Sequence, residues 1–265
     1  MSEPIFHVDA FTDRPFAGNP AAVCFIGEDR ADSWMQNVAR EMNLAETAFL
    51  RPNGPNWSLR WFTPSMEVDL CGHATLASAH VLWESRRAAA DATLRFDTRS
   101  GLLSASRRGE DIELDFPAEP ATPSPAPQDL LDALGIPAPL YSGRNRLDDL
   151  IEVATEKEVR SLQPDFRKLE AACAGSRGVI VTARSDDPHF DFVSRFFAPA
   201  AGIDEDPVTG SAHCCLGPFW SPRLQKKELR GYQASARGGT VTVRMNGSRV
   251  MLGGRAVTVA CGSLA

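Results

Sequence analysis

Apolar positions along this chain recur with two different periods, and the order in which the two alternate is the first guide to its fold. PIFHVDAF and AAVCFI carry the apolar and β-branched weighting of strands, joined by the turn-rich DRPFAGNP. In ADSWMQNVAREM, residues Trp34, Met35, Val38, Ala39 and Met42 fall on one stripe at helical spacing. TAFLRP and WSLRWFT return to strand weighting. GHATLASAHVLWESR is then apolar or small almost all round, the pattern of a helix buried on every side. TLRFDT, GLLSASRR and DIELDFP follow as short strands, the last pair turning at Gly109.

From Pro117 to Gln128 the chain reads PAEPATPSPAPQ, too rich in proline for a helix or an inner strand. Beyond it DLLDALG, EKEVRSL and FRKLEAACA have helical character, and GVIVTA, FDFVSRFFA, GTVTVRM and SRVMLGG have strand character. The expectation is an α+β protein of two lobes. Residues 1–117 form the first, 118–128 a proline-rich linker and 129–265 the second, with a terminal strand able to return to the first lobe.

The second half also repeats the first. RWFTP at Arg60–Pro64 recurs as RFFAP at Arg195–Pro199, an offset of 135. The offset is 138 at Gly72 and Gly210, and again for Gly101 with Gly239 and Gly109 with Gly247. A duplication in which one turn gained three residues accounts for all four landmarks. If the lobes face each other across a pseudo-twofold axis, two equivalent helix starts point into one cleft, where free backbone N–H groups suit an anion.

Composition narrows the function. With 43% apolar and 23% charged residues among 265, the chain has the make-up of a globular protein with a proper core. A formal net charge of -6 supplies no basic field for nucleic acid or an anionic membrane surface. The N-terminal segment lacks a signal-peptide pattern and no run approaches a membrane span, so a cytoplasmic location is expected. Six cysteines without a CxxC pair point to reduced thiols, and neither a zinc nor a nucleotide motif is present.

The two turns hold the candidate chemistry. EVDLCGHAT offers Asp69, Cys71 and His73, and GIDEDPVTGSAH offers Asp204, Glu205, Asp206 and Ser211. Taken singly each has a plain structural reading: Asp204, Asp206 and Thr209 as helix caps, His73 as a core histidine, Cys71 as a small apolar residue. Their collection at matching ends of a repeated unit favours an active site.

These segments carry a resemblance to a known family. DAFTDRPFAGNPAAVC, LAETAFL, RWFTPSMEVDLCGHATLASAHVL, SRFFAPAAGIDEDPVTGSAH and QASARGG, in that order, resemble the PhzF-like family of phenazine biosynthesis, which shares the diaminopimelate epimerase fold. The resemblance implies two lobes, each a curved, mostly antiparallel sheet around a central helix, a site between them, no metal or organic cofactor, and a homodimer. It nominates Glu46, His73 and Asp206 as catalytic residues and Ser211 as a binding residue. On sequence alone Glu46 could equally close a turn before TAFLRP.

The chemistry expected on that basis is an allylic isomerisation of a small carboxylic acid. Glu46 takes a proton from one carbon and returns it to another. Asp206 and His73 hold or protonate heteroatoms, Ser211 and the N–H groups near Gly72 and Gly210 bind the carboxylate, and Asn19 lines the pocket. Two alternatives stay open. A two-base epimerase would need a thiol from each half, and Cys71 has Thr209 as its counterpart, with Cys214 and Cys215 a turn further on. A non-catalytic protein that binds a small acid or a protein partner is the other.

Overall fold

The computed structural model describes residues 2–265. It consists of two compact units, Met1–Phe116 with Met251–Ala265, and Pro117–Val250. In chain order the first contains β1 (Glu3–Ala10), β2 (Asn19–Phe25), α1 (Asp32–Met42), β3 (Glu46–Asn53), β4 (Asn56–Phe62), β5 (Glu67–Val68), α2 (Gly72–Glu84), β6 (Leu94–Thr98), β7 (Gly101–Arg108) and β8 (Asp111–Pro117). The second contains β9 (Thr122–Pro123), α3 (Gln128–Leu134), β10 (Tyr141–Arg144), β11 (Asp148–Glu152), α4 (Glu156–Ser161), α5 (Phe166–Ala172), β12 (Gly178–Arg184), β13 (Phe192–Phe197), α6 (Gly210–Leu224), β14 (Glu228–Gln233) and β15 (Gly239–Asn246). β16 (Arg249–Gly254) begins in the second unit, and β17 (Ala256–Leu264) belongs to the first.

Strand pairing repeats between the units. In the first, β17, β1, β2, β3, β4, β6, β7 and β8 are neighbours in that order, antiparallel except for β2 with β3 and β4 with β6. In the second, β9 to β15 are neighbours in chain order, antiparallel except for β11 with β12 and β13 with β14. The C-terminal β17 thus flanks β1 as β9 flanks β10. The proline-rich stretch belongs to the second unit, where Thr122 and Pro123 pair with Arg144 and Gly143 at the edge. Proline is compatible with an edge strand because its missing N–H can face away from the ladder.

Helix α2 explains why its sequence has no polar face. Residues His73 to Ala79 and Val81 to Trp83 are all buried, and the helix packs on β1, β2, β3 and β17. α6 is buried in the same way against β14 and β15. α1 instead buries one stripe, Met35 and Ala39, beside Cys24, Phe49 and Phe62. Among the described residues no helix is long and apolar enough to cross a membrane.

Besides the two-residue β5 and β9, four strands lack a clear apolar pattern. β10 and β11 read YSGR and DDLIE, and the acids Asp148 and Asp149 are buried by ion pairs with Arg177 and Arg144 rather than by apolar character. β14 contains Gly231, where a Cβ would collide with the ring of Phe192 on the adjoining strand. β17 is mostly half-buried or exposed and lacks a clear apolar face.

The three-residue insertion between the repeats has a physical signature. Arg60 grips Glu67 with two bonds of 2.7 Å, and Arg195 grips Glu205 with bonds of 2.7 and 2.8 Å. The arginines are offset by 135 residues and the glutamates by 138, so the same clamp spans the longer turn. Arg195 is the more enclosed, its side chain 10% exposed against 27% for Arg60. Arg195→Met should therefore destabilise the protein more, by about 3 kcal/mol as expected for orphaning one partner of a buried pair. Chemical denaturation of both variants checks it.

Candidate active site

Three strand and helix starts of the first unit converge on one imidazole. β2 begins at Asn19, β3 at Glu46 and α2 at Gly72, preceded by the extended Cys71. Gly18 sets the approach of Asn19: its φ is +64°, and a Cβ there would collide with the Ala10 carbonyl oxygen. His73 is 5% exposed. Its Nε2 lies 3.0 Å from Glu46 Oε2, and its Nδ1 lies 3.2 Å from Asn19 Nδ2 and 3.6 Å from Cys71 Sγ.

Both ring nitrogens are engaged, Nδ1 by the Asn19 amide and Nε2 by the Glu46 carboxylate. Glu46 Oε2 is buried yet takes no aligned hydrogen bond, so its contact with His73 is ionic and its lone pairs stay available. Burial opposes protonation of His73, while the adjacent Glu46 carboxylate favours it and raises the imidazole pKa above its ordinary value. Burial, reinforced by the Glu46 charge, also raises the Cys71 thiol, so that cysteine remains protonated.

Glu46, Cys71 and His73 offer ligand atoms that all lie within 4.8 Å of one another, close enough for a single cation. Thiolate, imidazole and carboxylate together would suit a zinc-like ion. The ring nitrogens of His73 are already engaged by Asn19 and Glu46, so a cation there would have to displace one of these contacts.

The corresponding start in the second unit is built otherwise. Thr209 precedes Gly210, the first residue of α6, and its hydroxyl donates to Asp206 Oδ2 at 2.5 Å. Gln233 accepts from Thr209 N–H at 2.9 Å and donates to Asp206 O at 2.7 Å, fastening the DPVTG turn to β14. Ser211 takes the place of His73 and accepts from Arg177 Nη2 at 2.9 Å. Glu205 serves the Arg195 clamp, and Asp69 of the first turn is 79% exposed, so neither joins the chemistry.

Strand register identifies the counterpart of Glu46. Thr47 pairs with Phe62 as Val179 pairs with Phe197, which sets Glu46 against Gly178. A Cβ on Gly178 would lie 2.5 Å from Phe197 O, leaving no room for a side chain. Carboxylate, thiol and imidazole at positions 46, 71 and 73 thus become glycine, threonine and serine at 178, 209 and 211. Among the described residues this trio occurs in the first unit and not at the matching positions of the second.

A family model described as phenazine biosynthesis-like protein matches residues 8–262. The chain belongs to the phenazine biosynthesis-like family. An uncharacterized isomerase of Halalkalibacterium halodurans is 56% identical over 260 residues, covering 98% of this chain and 97% of that protein. The crystal structure of a phenazine biosynthesis protein of the PhzF family from Enterococcus faecalis superposes with a TM-score of 0.95 at 43% identity, covering all of both chains. A probable proline racemase from Agrobacterium radiobacter, at 12% identity, has a TM-score of 0.66 over 99% of this chain and 93% of its own. The fold is therefore the α+β, two-lobed one of the PhzF proteins and the epimerase-like racemases.

Within this family member, the residues that sequence reasoning missed are Gln233, Arg177 and Asp148. Gln233 opens the QASARGG segment, but nothing in one sequence marks it as the brace of the turn. Arg177 stands one residue before Gly178, so the repeat register is the signal that locates it. A surface depression lined by Glu156, Lys157, Arg160, Ser161 and Asp186 shares no residue with either half-site.

The repeat also preserves a bond across different chemistries. Thr75 Oγ1 donates to Cys71 O, and His213, 138 residues on, places Nδ1 2.8 Å from Thr209 O. His213 is fully buried and its Nε2 has no partner, so burial pushes its pKa down to about 4. Between about 6.5 and about 4 the unfolded chain takes up a proton that the folded protein refuses, so stability falls as pH falls through that window. The thermal midpoint should drop across it, by an amount equivalent to about 3 kcal/mol. His213→Asn, which keeps a donor for Thr209 O, should flatten the profile.

Proposed function

We propose that this protein is a cofactor-independent isomerase that moves one proton between two carbons of a small carboxylated substrate, with Glu46 as the carrier. The observation that carries the reading is Glu46 Oε2, buried, outside any aligned hydrogen bond, and held against His73. Such an oxygen can accept a proton from a carbon next to an unsaturated system. The electron pair left behind enters that system, a new C–H bond forms at the far end with the same proton, and Glu46 is restored. No oxidant or reductant takes part. His73, with its Nε2 proton facing the carboxylate, stabilises the charged form of Glu46 before transfer and supports a substrate heteroatom afterwards. Asp206, Ser211, Asn19 and the backbone N–H groups at Gly72 and Gly210 hold the remaining polar groups of the substrate.

The two-base epimerase is the less favoured reading. Cys71 would be its first thiol, but position 209 is threonine, and burial pushes both Cys214 and Cys215 up to about 12. A hydroxyl and two buried thiols are poor second bases. That the isomerase relatives span nearly the whole chain supports turnover over simple binding.

Incubation with a panel of small unsaturated carboxylic acids and amino acids in heavy water tests the assignment. Wild type should wash deuterium into an unsaturated acid and shift its double bond. Glu46→Gln should slow that by about a hundredfold or more. Exchange as fast in Glu46→Gln as in wild type removes Glu46 from the mechanism, and inversion of an amino acid without double-bond movement favours the epimerase.

A further inference from the structure

Where the second unit has no room for a carboxylate, an arginine enters from the neighbouring position. Arg177 Nη2 donates to Ser211 Oγ at 2.9 Å, the residue that stands in place of His73. The guanidinium is aimed by Asp148, which receives Nε at 2.9 Å and Nη2 at 2.5 Å and is itself 1% exposed. Its plane lies over the ring of Phe196, 5.3 Å from the centroid. Two strand starts therefore fix the fork: Asp148 opens β11 and Gly178 opens β12, and the two pair directly. A lysine could not make these three directed bonds at once.

Two donors are left over. The Ser211 oxygen already accepts from Arg177, so its single O–H proton is turned away from the guanidinium. Among the described residues Arg177 Nη1 has no hydrogen-bond partner, and the side chain is 35% exposed. An N–H and an O–H on two groups already joined by the Nη2–Oγ bond can together meet the two oxygens of one carboxylate. Asp148 balances the arginine charge, so recognition depends on the paired donors more than on net field.

We propose that Arg177 is a specificity-determining residue that, with Ser211, clamps a carboxylate on the second unit, while Asp148 positions its guanidinium. The proposal rests on the isomerase reading for one point only, that the carboxylate belongs to the substrate of Glu46. The fork selects a carboxylate over the corresponding amide, because an amide offers one acceptor oxygen where the clamp presents two donors.

Calorimetric titration of the full-length protein with benzoate and with benzamide tests it. Wild type should bind benzoate and discriminate against benzamide. Ser211→Ala should weaken benzoate by about tenfold, the loss expected for one hydrogen bond to a charged group. Arg177→Lys should weaken it similarly although the charge is kept, because the fork is lost. Since Arg177→Met would leave Asp148 buried without its partner, Asp148→Asn/Arg177→Gln removes both charges together, and thermal unfolding verifies that it folds. Glu46→Gln should retain benzoate affinity while losing deuterium exchange. No saturable benzoate binding by wild type, equal affinity for benzamide, or wild-type affinity in the Ser211 and Arg177 variants overturns the clamp. Undiminished exchange in Glu46→Gln overturns the shuttle alone.

Discussion

Ten of the thirteen residues of α2 are buried, and nine of the fifteen of α6, so neither helix has a polar face on which chemistry could be placed. What each can offer is its first turn, where backbone N–H groups have no partner within the helix and the dipole is positive. Two of the strands packed on α2, β2 and β3, start beside that turn, and their first residues, Asn19 and Glu46, are the ones that meet His73. In the second unit Asp148 and Gly178 begin β11 and β12, and Arg177 brings them to Ser211. Burial of a helix on all sides thus forces the functional groups to collect at one end of it.

Comparison of the repeats separates structural duties from chemical ones. The arginine–glutamate clamp recurs in both units with nearly identical bond lengths, despite the longer second turn. The bond from position 75 or 213 to the carbonyl before the helix also recurs, although one donor is threonine and the other histidine. These contacts hold the turn against the helix and have been kept through changes of residue type. Positions 46, 71 and 73 have instead diverged completely from 178, 209 and 211. A change to glycine at 178, in a place where even a Cβ does not fit, cannot be a conservative drift. The first unit keeps a carboxylate, a thiol and an imidazole at these positions, and the second a glycine and two hydroxyls.

The frame and the family were legible from pattern: strand and helix periods, four landmarks at constant offset, and the ordered motifs. Glu46 was not legible by itself, because an acid ahead of a strand looks the same whether it faces water or an imidazole. Its significance depends on contacts with residues 27 positions away, at His73, and on the burial of one oxygen. Strands β10 and β11 were hidden for a related reason: Asp148 and Asp149 read as surface acids, yet each is covered by an arginine from another segment. Buried ion pairs remove the apolar signal on which strand reading depends. The same concealment hid Arg177, whose partners lie 29 and 34 positions away.

Charge balance shows why both half-sites can be buried without becoming inert. In the first, a protonated His73 beside the Glu46 carboxylate leaves no net charge, and Cys71, held as a thiol, adds none. In the second, Arg177 cancels Asp148. Burying an isolated ion costs several kcal/mol, and pairing within each half-site offsets much of that. A substrate carboxylate would then introduce the one uncompensated negative charge. In the proposed reaction the Glu46 carboxylate is neutralised as the substrate carbon framework becomes anionic, so charge moves without a net change.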